Sequence, residues 1–111
     1  MNISYEGIGH FGVTFPAAGC AAGAVCKMGA DGIVTACASG DKFCGLVEGV
    51  NGTQAGVQVG GFVTVSYTGT APAMGYVNLC ADGNGGVKAG TGREYLVAAV
   101  DSTAMTVTFM L

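Results

Sequence analysis

Apolar residues alternate with polar or small ones most clearly across 55–68, AGVQVGGFVTVSYT. Val57 and Val59 lead into a Gly60-Gly61 pair. Beyond it Phe62, Thr64 and Ser66 share one side, and Val63, Val65 and Tyr67 the other. Alternation rich in β-branched and aromatic residues predicts a half-buried strand. The glycine pair predicts a bulge or sharp bend within it. A long strand bent in this way can serve both halves of a small barrel or sandwich.

The same reading continues along the chain. Residues 2–15 alternate loosely through Ile3, Tyr5, Ile8, Phe11, Val13 and Phe15, with glycine breaks, and Pro16 is expected to end the segment. Residues 17–23 read as a small-residue linker. Strands are predicted at 24–28 and 33–38 around Asp31-Gly32, then at 43–50 and 54–59 around Asn51-Gly52. Asp-Gly and Asn-Gly favour tight turns because these residues tolerate positive φ. Further strands are predicted at 75–81, 87–89, 94–100 and 104–111, the last pair turning at 101–103. In the final strand Met105, Val107, Phe109 and Leu111 share one side. No window supports an amphipathic helix, because glycine is too frequent.

Many short strands with glycine turns predict an all-β fold. We read a small single-domain barrel or sandwich of short antiparallel strands, with residues 1–22 as an N-terminal arm and linker and 23–111 as the β domain. A two-fold internal pseudo-repeat is also legible. Gly23-x-Val25 before Asp31-Gly32 resembles Gly75-x-Val77 before Asp82-Gly83. At a spacing of 52 residues, Phe43 aligns with Tyr95, Ala55 with Val107 and Val57 with Phe109. Evenly spaced short strands produce some self-similarity by themselves.

Composition narrows function mainly by exclusion. Half of the 111 residues are apolar and only 10% are charged. So few charges leave little to keep copies apart, and part of the apolar surface is expected to be covered by another subunit or a larger assembly. The formal charge of −3 argues against nucleic-acid binding, which needs a basic face. Apolar runs fall far short of the roughly 20 residues that span a membrane, so no membrane partner is expected. Residues 1–10 carry no Lys or Arg and precede no apolar run, so no signal peptide is expected.

Five cysteines, no CxxC pair and a single histidine, His10, give no zinc-ligand spacing. We read Cys20, Cys26, Cys37, Cys44 and Cys80 as reduced thiols acting as small hydrophobes. The glycine clusters at 82–86 and 90–93 lack the strand–loop–helix setting of a phosphate loop. His10 has no partner legible in sequence for nucleophilic or acid–base work, and the seven acids form no calcium-loop spacing. Neither a catalytic residue, a cofactor nor a metal is expected.

The order of features from Ala24 to Leu111 resembles small capsid decoration (head-stabilising) proteins of tailed bacteriophages. An N-terminal arm is followed by VCKMGADGIVTACASGDKFCGLVEGV, then VQVGGFVTVSYTG, then the hairpin EYLVAAVDSTAMTVTFML. The chain is most similar to the short Gly/Ala/Val-rich members encoded beside the major capsid protein in phages and prophages of Firmicutes. Compared with the trimeric lambda-type members it is poorer in Pro and lacks Trp. The resemblance implies a non-enzymatic virion protein, made in the host cytoplasm and bound to the capsid exterior. Its partners would be the major capsid protein and further copies of itself, as a homo-oligomer and by preference a trimer. Ile3, Tyr5, Ile8, His10, Phe11, Val13 and Phe15 are the candidate capsid or subunit interface, through strand addition. The alternative for this arm is the first strand of the domain's own sheet. Other readings are a tail-tube or head-fibre component, or a host- or glycan-binding β-module.

Overall fold

The computed structural model describes residues 11–111, all strands and turns. Ten strands follow in order: β1 (Phe11–Ala18), β2 (Val25–Met28), β3 (Val34–Ala36), β4 (Gly45–Asn51), β5 (Gln54–Gly60), β6 (Phe62–Ser66), β7 (Gly75–Ala81), β8 (Val87–Ala89), β9 (Arg93–Asp101) and β10 (Thr106–Met110). The all-β reading holds. The first five strands close into a barrel in the order β1-β3-β2-β4-β5. The last five form a sheet in the order β6-β10-β9-β7-β8.

The two halves repeat one set of pairings. In each, the first strand pairs antiparallel with the fifth, the fourth with the fifth, the second with the third, and the second with the fourth. The parallel β1–β3 pairing that closes the barrel has its counterpart in a parallel bridge between Tyr67 and Val87. Sequence equivalences hold for β5 and β10. Val57 lies between Val13 and Val47, as Phe109 lies between Val63 and Val97. Ala55 lies between Phe15 and Val50, as Val107 lies between Val65 and Val100.

Phe43 is not the counterpart of Tyr95. Counting back from the matched pair Val47 and Val97, the counterpart is Gly45. A Cβ there would sit 2.5 Å from the Gln58 carbonyl oxygen and 2.7 Å from a Val57 methyl, so that position admits no ring. Phe43 instead lies just before β4 and stacks on Tyr95 itself, with ring centroids 5.0 Å apart and planes 5° apart. Phe109 meets both rings, at 5.8 Å and 5.1 Å. The larger core therefore gathers Val63, Val65, Tyr67, Leu79, Val97, Val107 and Phe109 of the second half with Val25 and Phe43 of the first. A smaller core of Cys26, Val34, Val47, Ala55 and Val57 fills the barrel.

Main-chain bonds join the halves as well. Gly40 N–H donates to Ala81 O and Ala81 N–H to Asp41 O, both at 2.9 Å, and Val25 N–H donates to Gly85 O at 3.0 Å. Asp41 holds this loop in place, accepting from Lys27 Nζ at 2.6 Å and from Ala38 N–H at 2.9 Å. The Lys27 ammonium, helped by that amide, keeps the Asp41 carboxyl below the usual range.

Three details differ from expectation. Pro16 does not end its segment, because β1 runs through to Ala18. Ala17 N–H turns toward Thr53 O, so the proline nitrogen faces the other side, where β3 begins to pair only at Ala17. Met105 does not join the buried side of β10. It is 44% exposed at φ 55°, in the turn before the strand. Residues 11–18, grouped with the arm and linker, form β1 and pair with β5 and β3. The rest of the proposed arm, residues 1–10, lies outside the described residues.

The Gly60-Gly61 bend is where the chain passes from barrel to second sheet. Gly61 has φ 84°, a conformation glycine adopts without a Cβ penalty. Gln58 is 7% exposed, and its amide donates to the carbonyls of Gly60 at 2.9 Å and Phe62 at 3.1 Å. One buried side chain thus satisfies a carbonyl on each side of the bend. Gln58→Ala should lower unfolding free energy by about 1–3 kcal/mol, since it leaves both carbonyls without that donor. Urea unfolding checks this; a midpoint unchanged from the parent would show that the bend is held by other contacts.

Candidate functional site

The side of the second sheet facing away from the core carries an uninterrupted apolar row. Strand alternation puts Val63, Val97 and Phe109 inward and their neighbours Phe62, Leu96 and Met110 outward. Register then aligns them: Phe62 opposes Met110, Met110 opposes Leu96, and Leu96 opposes Tyr76. Four uncharged side chains therefore cross β6, β10, β9 and β7 in one line. Tyr76 is 68% exposed and Met110 41% exposed, and Met74, just before β7, is 61% exposed. Two positions along, the row is polar: Thr64 opposes Thr108, and their hydroxyls lie 2.8 Å apart. The apolar line thus has a polar border, the anatomy of a contact surface rather than scattered exposure.

Of the expected interface residues, Ile3, Tyr5, Ile8 and His10 lie outside the described residues. Phe11 is 60% exposed at the start of β1, opposite Gly60 and so close to the bend. Val13 and Phe15 are half-buried, and Phe15 packs on the barrel core, so it contributes to the fold. The sequence reading did not assemble the Phe62–Tyr76 row. Its signal is partly present in the sequence, where alternation turns Phe62 away from Val63 and Val65. Only the register shows that Met110, Leu96 and Tyr76 continue the line.

A second cluster lies in the barrel. Cys26 is fully buried, and Cys20 and Cys44 pack against the same core. All five cysteines are free thiols. Cys26 pairs with Gly45 across β2 and β4, yet its carbonyl accepts from Cys44 N–H at 2.8 Å. Cys44, the residue before β4, and Gly45, its first, thus both lie beside Cys26. The Cys26 thiol donates to Gly45 O at 3.7 Å. The neighbouring Cys26 thiol, aided by the backbone amide of Cys44 and opposed by burial, brings Cys44 down to about 7. The neighbouring Cys44, and then burial, push Cys26 up. Burial pushes Cys37 up to about 11 and, opposed by a backbone hydrogen bond, raises Cys20.

Among the described residues no group of three or more His, Cys, Asp or Glu side chains is placed to hold a metal ion, and no helix is long and apolar enough to cross a membrane. No known protein family matches the chain, and no curated protein or solved structure is significantly similar to it.

The thiolate is the nucleophilic form, so a lowered value means faster alkylation near neutral pH. Iodoacetamide should label Cys44 first, at a rate that rises with pH and reaches half its plateau near the value of about 7 given above. Cys20 and Cys37 should label appreciably only under alkaline conditions. Peptide-resolved mass spectrometry over a pH series checks this; equal rates at Cys44 and Cys37 would contradict the arrangement.

Proposed function

We propose that the protein is a structural component of a tailed-phage virion, which binds the outside of the expanded capsid and clamps neighbouring capsomers. The observation that carries this reading is the apolar row Phe62–Met110–Leu96–Tyr76, bordered by threonines, on a chain with few charges. Such a row suits a partner surface that is itself fixed and repeated. The order of sequence features, which resembles the decoration proteins, and the small all-β fold agree with it.

The chemistry asked of the protein is binding, with no reaction step. Each contact can be modest. Several footholds per oligomer and many copies per shell make the sum large, because every contact after the first is effectively intramolecular. A protein that binds the expanded lattice better than the unexpanded one stabilises it by that difference in affinity. In this reading the partners are the major capsid protein and further copies of this chain, with a trimer preferred. Residues 1–10, with Ile3, Tyr5, Ile8 and His10, supply a second foothold by strand addition. Deleting them spares Phe11–Ala18, which form β1 among the described residues.

Co-sedimentation with shells of the phage or prophage that encodes the chain tests the proposal. Binding is expected to expanded shells at fixed stoichiometry and not to unexpanded ones. The double variant Tyr76→Ser, Met110→Ser should lose at least tenfold in shell affinity. Its unfolding free energy should change by less than about 1 kcal/mol, because both side chains are exposed. Absence of binding to either shell form would overturn the capsid reading. Assembly of the purified protein into stacked rings without any shell would instead point to a tail tube.

A further inference from the structure

The thiol cluster of the barrel carries an inference independent of the capsid reading. We propose that Cys44 and Cys26 are a redox-active pair, in which Cys44 is the site of oxidation by a peroxide and Cys26 resolves it to a disulfide joining β4 to β2. Three observations converge. The two residues are neighbours, Cys26 in β2 and Cys44 just before β4, tied by the 2.8 Å bond from Cys44 N–H to Cys26 O. Both side chains belong to the small core of the barrel, Cys26 within it and Cys44 packed against it. Their access to solvent differs: Cys44 is half-buried and can meet a small oxidant, whereas Cys26 is fully enclosed.

The roles follow from that difference. The Cys44 thiolate attacks one oxygen of hydrogen peroxide and the O–O bond breaks. The departing hydroxide takes a proton and leaves as water, and Cys44 becomes a sulfenic acid. The Cys26 sulfur then attacks Cys44 Sγ. The S–O bond breaks, the leaving oxygen takes the Cys26 proton and departs as a second water, and the S–S bond forms. Two thiols lose two electrons in all, and one peroxide is reduced to two waters. The other titratable groups that act on this pair are Cys20, Cys37 and Tyr95. Cys20 is the competing partner for Cys44; its thiol donates to Val34 O at 3.4 Å as that of Cys26 donates to Gly45 O at 3.7 Å, and the Cys20→Ser variant separates the two.

The test is a stoichiometric hydrogen peroxide treatment of the reduced protein, followed by mass mapping without reductant. Loss of two hydrogens is expected, with a link between the tryptic peptide ending at Lys27 and the one beginning at Phe43. These peptides also contain Cys20 and Cys80, so three single variants run in parallel. The link should persist in Cys20→Ser and in Cys80→Ser. In Cys26→Ser it should vanish, and a Cys44 sulfenic acid should accumulate, trapped by dimedone. A link that survives Cys26→Ser would overturn the assignment. So would oxidation of the parent at any cysteine ahead of Cys44. Serine replaces each thiol with little change in size, and the far-ultraviolet circular dichroism of each variant confirms that it has folded.

Discussion

The packing of Phe43, Tyr95 and Phe109 is the contact on which the rest of the structure depends. Each ring comes from a different stretch of chain: one before β4, one in β9 and one in β10. Aromatic pairs of this kind contribute about 0.5–1.5 kcal/mol beyond the area they bury. The Tyr95 hydroxyl adds a hydrogen bond to Phe43 O at 3.2 Å, so the polar end of a buried ring is satisfied by the opposite half. The barrel has only a small core of its own. Lending Phe43 and Val25 to the larger cluster couples its stability to that of the second sheet.

This arrangement explains why two halves with the same pairings are not two copies of one core. Gly45 leaves no room for a ring where the second half has Tyr95, and Phe43 crosses over to meet that tyrosine. One half supplies a closed barrel and the other a broad sheet. That sheet, backed by the larger core, presents its outer side to solvent as a firm surface. The apolar row owes its alignment to the register of four strands, each held from beneath by Val63, Phe109, Val97 or Leu79.

Much of the fold was legible in the sequence because it is locally encoded. Asp31-Gly32 and Asn51-Gly52 turn where expected, and β7 and β8 have the bounds that alternation indicates. The Gly60-Gly61 pair bends the chain, as a glycine pair within a strand pattern suggests. What was not legible depends on distant partners. Pro16 can remain in a strand only because of where β3 begins. Met105 leaves the buried side because of its turn, and the apolar row exists only once register is fixed. Cys44 looked like a small core residue. Its proximity to Cys26 comes from the pairing of β2 with the start of β4, which no spacing between cysteines reveals. From Phe11 to Ala18 the proposed arm and linker are a strand of the barrel, because β5 and β3 are there to pair with.

The central claim is that barrel and sheet form one cooperative unit joined through the aromatic cluster, which keeps the outer face of the sheet fixed. Native-state hydrogen exchange tests it most directly, because it reads opening strand by strand. The account predicts that the amides of β4 and β5 exchange with the same opening free energy as those of β9 and β10, and that Phe43→Ala lowers both sets together. Exchange of β4 and β5 through a much cheaper opening, with β9 and β10 unaffected by Phe43→Ala, would contradict it.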